Sequence, residues 1–246
     1  MHPKISFKKT PNREEKITKK LSRVGIGSRR ALEKWIQNGR ISVDGEVVFN
    51  PAIRVNENAI ITFDGKKIPE KEVTRLWKFY KPKGSLSSNN DPKGRSLIYD
   101  FLPKNLPRVI SVGRLDYNTE GLILLTNDGE LARKLEMPSS GYSRGYRVRV
   151  RGKVEKSKLD LLKHGIKINS INYKPMNVYL ERQNKSNAWM NISLKEGKNR
   201  EIRNVMEFFG WEVSRLIRVE FGPFKIGNLK EKEIQEIDQL TVCNLL

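Results

Sequence analysis

Cysteine and histidine are almost missing from this chain. Cys243 is the single cysteine in 246 residues, so no internal disulfide can form, and a reducing compartment is expected. His2 and His164 are the two histidines, too few nitrogen and sulfur ligands for a zinc site of the usual kind; only His164 could serve as the base of a Ser or Cys triad. That residue, in Leu162-Lys163-His164-Gly165, reads as the end of a helix ahead of a C′ glycine and therefore as structural. Long apolar runs are absent too: nothing approaches the roughly 20 residues a membrane-spanning helix needs, and Met1-His2-Pro3-Lys4-Ile5 lacks the apolar stretch of a signal peptide. A cytoplasmic protein with no membrane association is the expectation. Acidic residues are scarce as well, 28 against 48 lysines and arginines, a formal net charge of +20. The first 40 residues hold 12 basic and 3 acidic side chains. An excess so concentrated suits a partner made of phosphates, with a merely solvated basic surface as the plainer alternative.

Residues 1–13 are basic, contain two prolines and show no periodicity, which predicts a flexible arm. From Glu14 to Asn38 two helical patterns follow, Ile17, Leu21 and Val24 in one and Ala31, Leu32, Trp35 and Ile36 in the other, with Ser28 as N-cap of the second. Arg29 and Arg30 open that second helix, where cations oppose the helix dipole; the placement suits an anionic partner better than it suits the helix. Gly25-Ile26-Gly27 lacks the third glycine and the preceding strand of a dinucleotide fingerprint and is set aside. Short strands are expected at 41–43, 46–49, 53–55 and 60–63, giving a domain over 14–63, and the polar segment 64–75 reads as a linker.

The remainder, 76–246, is organised around Val112 to Gly129. Two apolar runs, Val109 to Val112 and Leu122 to Leu125, flank a polar segment holding Asp116, and Glu130 to Leu135 reads as a helix after the turn Asn127-Asp128-Gly129. A carboxylate on a loop propped by strands is a common catalytic placement, although a lone loop aspartate is more often a turn or cap residue. In Tyr146 to Arg151, Tyr146, Val148 and Val150 share one face of a strand and three arginines the other, which must meet water or phosphate. A helix over 154–163, strands at 176–181 and 189–194, a helix beginning near Glu201 with Ile202, Val205, Met206 and Phe209 inward, and a last strand, 213–221, closing the sheet complete the pattern.

Residues 14–63, chiefly L-S-R-V-G-I-G-S-R-R and G-R-I-S-V-D-G, resemble the S4 RNA-binding module. With Tyr80-Lys81-Pro82-Lys83-Gly84, Asp91-Pro92-Lys93-Gly94-Arg95, Gly113-Arg114-Leu115-Asp116 through Gly129, Tyr146-Arg147-Val148, Glu196 to Arg203 and Leu216-Ile217-Arg218, the whole chain resembles the S4-containing ribosomal RNA pseudouridine synthases. Within these, V-G-R-L-D-Y-N-T and V-S-R-L-I-R are most similar to the branch that modifies large-subunit ribosomal RNA, less so to the small-subunit branch. The resemblance implies an α+β protein: a small S4 module, then a catalytic domain on a mixed, mainly antiparallel sheet with flanking helices. It implies a cofactor-free, metal-free isomerase acting on ribosomal RNA, most similar to enzymes of 23S rRNA or a pre-50S particle, and a monomer. Uracil would leave C1′ of its ribose, turn, and rejoin through C5, so an ionised carboxylate is needed beside the sugar. Asp116 matches that residue, Arg203 its partner arginine and Tyr146 the active-site tyrosine. Arg114 would fill the gap left by the flipped nucleotide or hold phosphates; Lys81, Lys198, Arg200, Arg29 and Arg30 would contact RNA. Asn204 stands where relatives often carry a second arginine, which questions one RNA contact. A non-catalytic ribosome-assembly factor would leave Gly113 to Gly129 unexplained, and an S4-linked methyltransferase lacks its glycine-rich loop.

Overall fold

The computed structural model describes residues 14–246, and the arm expected over 1–13 lies outside them. The chain divides into two compact units between Val73 and Thr74.

In the first unit, β1 (Glu15–Lys16), α1 (Ile17–Arg23) and α2 (Arg29–Gln37) precede β2 (Ile41–Val43), β3 (Glu46–Val48), β4 (Arg54–Val55), β5 (Ile61–Phe63) and β6 (Lys66–Lys67). The Ser28 hydroxyl accepts from the Ala31 amide at 3.2 Å, so the expected N-cap is in place. Ile17, Leu21, Leu32, Ile36, Ile41, Val55 and Ile61 form one buried core. Arg29 and Arg30 are exposed at the start of α2. The stretch 64–75 is not all linker: β6 pairs with β5 across Asp64-Gly65, and Ile68 packs on the core, so the sheet runs β3-β2-β5-β6. Lys-Lys carries no apolar pattern that would announce a strand.

The second unit contains β7 (Leu76–Lys81), β8 (Ile110–Val112), β9 (Glu120–Thr126), α3 (Gly129–Glu136), β10 (Arg144–Arg151), α4 (Lys156–Leu161), β11 (Ile166–Ile168), β12 (Ile171–Tyr173), β13 (Asn177–Gln183), β14 (Asn187–Leu194), α5 (Glu201–Phe208), β15 (Val213–Phe221), β16 (Phe224–Lys225), β17 (Ile234–Glu236) and α6 (Gln239–Cys243). One nine-stranded sheet takes the order β13-β14-β10-β15-β9-β7-β17, with β8 beside β9 and β16 beside β15. Its pairings are antiparallel except β15 on β9, so the sheet is mixed and mainly antiparallel, as the resemblance implied.

That parallel pairing overturns the expectation that 213–221 closes the sheet. β15 lies inside it, and the sheet runs on through β9 and β7 to β17, a three-residue strand in a polar tail without alternation to betray it. Close approach is possible because residue 121 is glycine: its φ is +103°, and a Cβ there would stand 2.3 Å from the Arg218 carbonyl oxygen. Asp128 is more than a turn residue. Its carboxylate is buried, accepts from the Glu130 amide at 2.8 Å and from the Thr74 hydroxyl at 2.9 Å, and so starts α3 and ties down the first residue of the unit.

Alternation along β10 sorts its side chains as expected. Val148 and Val150 are buried with Ile202, Val205 and Met206 of α5, each such side chain contributing about 1.5–3 kcal/mol of burial. Two of the three arginines of the other face are held by protein acids: Arg147 holds Glu181 through two bonds of 2.9 and 2.6 Å and lies 4.3 Å from the Trp189 ring, and Arg151 pairs with Glu212 at 2.9 Å, while Arg149 is exposed.

Candidate active site

Asp116 sits in the loop that leaves β8 and enters β9. Leu115, just before it, is buried, and its amide and carbonyl both bond the Ser87 hydroxyl, at 3.2 and 3.3 Å. Residues 116–119 form a turn closed by the Thr119 amide on the Asp116 carbonyl at 3.0 Å. The next three carbonyls are each taken by a donor from elsewhere. The Gly84 amide donates to Tyr117 at 2.8 Å, Arg203 Nη2 donates to Asn118 at 2.9 Å, and Lys81 Nζ donates to Thr119 at 2.8 Å. The backbone beneath Asp116 is thereby fixed, while its half-buried carboxylate accepts no hydrogen bond among the described residues.

Lys81 is therefore not an RNA contact. It is fully buried under the loop, and besides Thr119 its ammonium donates to Pro82 at 3.1 Å and, more loosely, to Tyr117 at 3.5 Å. In sequence it reads as one more lysine in a basic Lys-Pro-Lys-Gly turn. Its position as the last residue of β7, with Trp77 and Phe79 on the same buried face, points it inward. Burial pushes its pKa down from 10.5 to about 8, against the pull of the Asp116 and Glu120 carboxylates.

The unfolded chain therefore holds this proton more tightly than the folded one, and wild type should gain stability as pH rises from about 8 to 10.5. Lys81→Met lacks that rise, and it leaves buried carbonyls unpaired at about 1–3 kcal/mol each. Urea unfolding of both proteins across this pH range checks it; parallel curves would show that Lys81 carries no depressed pKa.

Arg203 lies near Asp116 without forming an ion pair with it. Nη1 donates to Val213 at 3.1 Å and Nη2 to Asn118, and Nε is buried without a partner among the described residues. Burial, then Arg200, lowers its pKa, while the Asp116 carboxylate raises it. The expected pair is thus an electrostatic neighbourhood in which Asp116 stands between Arg203 and Lys81. Tyr146 is half-buried, packed against both the core under α5 and the core containing Leu115, so ring and loop share one side of the sheet.

The remaining candidates differ in availability. Arg114 is exposed on the Asp116 loop, and Arg200 is exposed at φ +49° before α5. Lys198 is exposed but engaged, its ammonium paired with Glu196 and bonded to the Asn172 carbonyl at 2.6 Å. Glu201 beneath it is buried, accepts from the Lys198 amide at 3.0 Å, and has its pKa raised by burial and by Glu196. Asn204 turns back to Tyr173 and the Asn199 carbonyl, at 3.2 and 3.3 Å, rather than outward. Sequence reasoning missed Glu120, the residue after the loop, which binds Arg215 at 2.8 and 2.9 Å and accepts from the Tyr80 hydroxyl at 3.2 Å. Cross-strand register, invisible in the sequence, brings these three together.

Comparison with known proteins follows the same division. Residues 75–208 match the RNA pseudouridylate synthase family and residues 18–61 the S4 domain. The chain belongs to the RNA pseudouridylate synthases. It is 44% identical to an uncharacterised RNA pseudouridine synthase of Rickettsia prowazekii (strain Madrid E) over 93% of this chain and 99% of that one. It is 42% identical to ribosomal large subunit pseudouridine synthase B of Yersinia pestis, over 86% of this chain and 69% of that one. A crystal structure of a pseudouridylate synthase superposes with a TM-score of 0.65 at 25% identity, covering 94% of this chain and 99% of its own. This synthase is accordingly an isomerase acting on RNA, and its S4 unit is an RNA-binding domain.

Proposed function

We propose that this synthase converts a particular uridine of large-subunit ribosomal RNA to pseudouridine, with Asp116 as the catalytic carboxylate. The target rests on the relatives at 42–44% identity that bear the name ribosomal large subunit pseudouridine synthase B. The role of Asp116 rests on one observation: a half-buried carboxylate with no hydrogen-bond partner of its own, on a loop whose backbone is fixed by Lys81, Gly84 and Arg203.

In this reading the uridine swings out of its strand, a step costing a few kcal/mol, and its ribose comes against Asp116. The ionised acid is the form needed at C1′, whether it attacks the sugar or removes a proton from it, and Arg203 and Lys81 lie within its electrostatic reach. Tyr146 offers a ring face to the detached uracil and a hydroxyl toward its C5. Arg114 and Arg200 are free to meet phosphates, and Lys198 can do so by leaving Glu196. Arg29 and Arg30 supply the corresponding contacts from the S4 unit, with the RNA taken up by a monomer, either as 23S rRNA or within a pre-50S particle.

Mapping pseudouridines in ribosomal RNA from cells lacking this protein tests the target. A large-subunit position should revert to uridine and be restored by the wild-type gene. Loss confined to small-subunit RNA would replace the target, and an unchanged map would remove it.

A further inference from the structure

Arg218, on β15, is a buried guanidinium that the chemistry above does not use. It is 3% exposed, Nε donates to the Leu122 carbonyl at 2.7 Å, and Nη2 is buried and meets no hydrogen-bond geometry among the described residues. No carboxylate pairs with it among the described residues. A guanidinium does not give up its proton inside a protein, so this charge stays, and burying it uncompensated is costly. Its surroundings show what offsets the cost: burial works against the cation, Arg144 adds to that, and the Tyr146 phenol works in its favour. Tyr146 and Arg218 stand directly opposite each other on β10 and β15, and Arg218 is in register with Gly121, just past the Asp116 loop. Cross-strand partners share a face, so the cation lies where the tyrosine strand meets the aspartate loop.

We propose that Arg218 is a positioning residue for Tyr146: its unpartnered N–H is directed to the phenol oxygen, holding that oxygen as an acceptor and balancing negative charge on it. The inference rests on the reading that Tyr146 faces the detached base. Once C5 is joined to C1′, that carbon bears both the sugar and its hydrogen. The phenol oxygen takes this proton as its own passes to solvent, and the guanidinium balances the charge that builds on it; the C5–H electron pair becomes the C5=C6 double bond, the C6=N1 pair withdraws to N1, and N1 takes a proton from water.

The test uses the full-length protein and RNA labelled at C5 with tritium or deuterium. Arg218→Met, with RNA affinity unchanged, is expected to lower kcat by about 10²-fold, the scale of a lost positioned donor. It should also acquire a C5-deuterium isotope effect, because proton removal from C5 becomes the slow step. Arg218→Lys keeps the charge, and hence the fold if Arg218→Met does not hold it, and should recover part of kcat while still showing the isotope effect. A kcat loss without a C5-deuterium isotope effect, a change in KM alone, or an Arg218→Lys protein indistinguishable from wild type overturns the proposal. Tyr146→Phe separates the two readings. If it retains full tritium release, the role of Tyr146 fails; if it is inactive while Arg218→Met behaves as wild type, only the role of Arg218 fails.

Discussion

Asp116→Asn is expected to abolish turnover, by on the order of 10⁴-fold or more, while RNA affinity and folding stay near wild type. The magnitude is the upper range for a positioned acid or base and a floor for a lost nucleophile. Stability should hold because the side chain makes no hydrogen bond that the amide would lose, and the loop rests on backbone acceptors that the substitution does not touch: the Asp116 carbonyl for Thr119, and the carbonyls of 117–119 for Gly84, Arg203 and Lys81. What changes is charge. Asp116 is the first of the two carboxylates that support the proton on Lys81, so its removal should move the alkaline rise in stability to lower pH than in wild type. Tritium release from C5-labelled uridine under single-turnover conditions, beside a binding titration and urea unfolding at several pH values, reads all three. Activity within ten-fold of wild type would remove the carboxylate from the mechanism, and a fall in stability that persists above pH 10.5, where Lys81 is neutral in both states, would mean that the side chain serves the loop instead.

Gly121→Ala should be the most damaging single-methyl change in the catalytic unit. The added Cβ would lie 2.3 Å from the Arg218 carbonyl oxygen and 2.9 Å from the Arg218 amide nitrogen, at φ +103°. Both neighbours are backbone atoms in the middle of the sheet, so neither can rotate away. Steric displacement and backbone strain together should cost about 3 kcal/mol or more, roughly 6–12 °C in Tm for a protein this size. Gly152→Ala is the control: φ is +89° there too, but nothing lies within 4 Å of the added carbon, so only the dihedral cost of about 1 kcal/mol applies. Equal losses in the two variants, measured by urea unfolding, would mean that the β9 to β15 contact is not tight. Because that contact joins the exit of the Asp116 loop to the strand bearing Arg218, activity should fall with stability.

The elements with a strong apolar period were legible before any coordinates. The two helices ending at Gln37, the Leu122 to Leu125 strand and the inward row of Ile202, Val205 and Met206 follow from residue spacing, because a buried stripe leaves its period in the chain. Lys81 shows the limit. The same residue type that meets phosphate on a surface can be enclosed under a loop, and the difference lies in which carbonyls surround it, two of them contributed by residues 36 and 38 positions away.

From its order of residues alone this chain settled an RNA-directed chemistry without disulfides, an aspartate on a strand-flanked loop, and the faces its helices and strands would bury. The buried faces, the strand-flanked loop and the want of disulfides follow from local spacing and composition, the RNA chemistry from the resemblance of the motifs to a known family. Three matters were decided by the tertiary structure: that β15 lies parallel to β9 inside the sheet, that Lys81 and Arg203 grip the loop backbone instead of meeting RNA or clasping the acid, and that Arg218 sits opposite Tyr146. Each is a contact between segments far apart in the chain, set by strand register or, for Arg203, by the docking of α5, and neither leaves a periodic trace in the sequence.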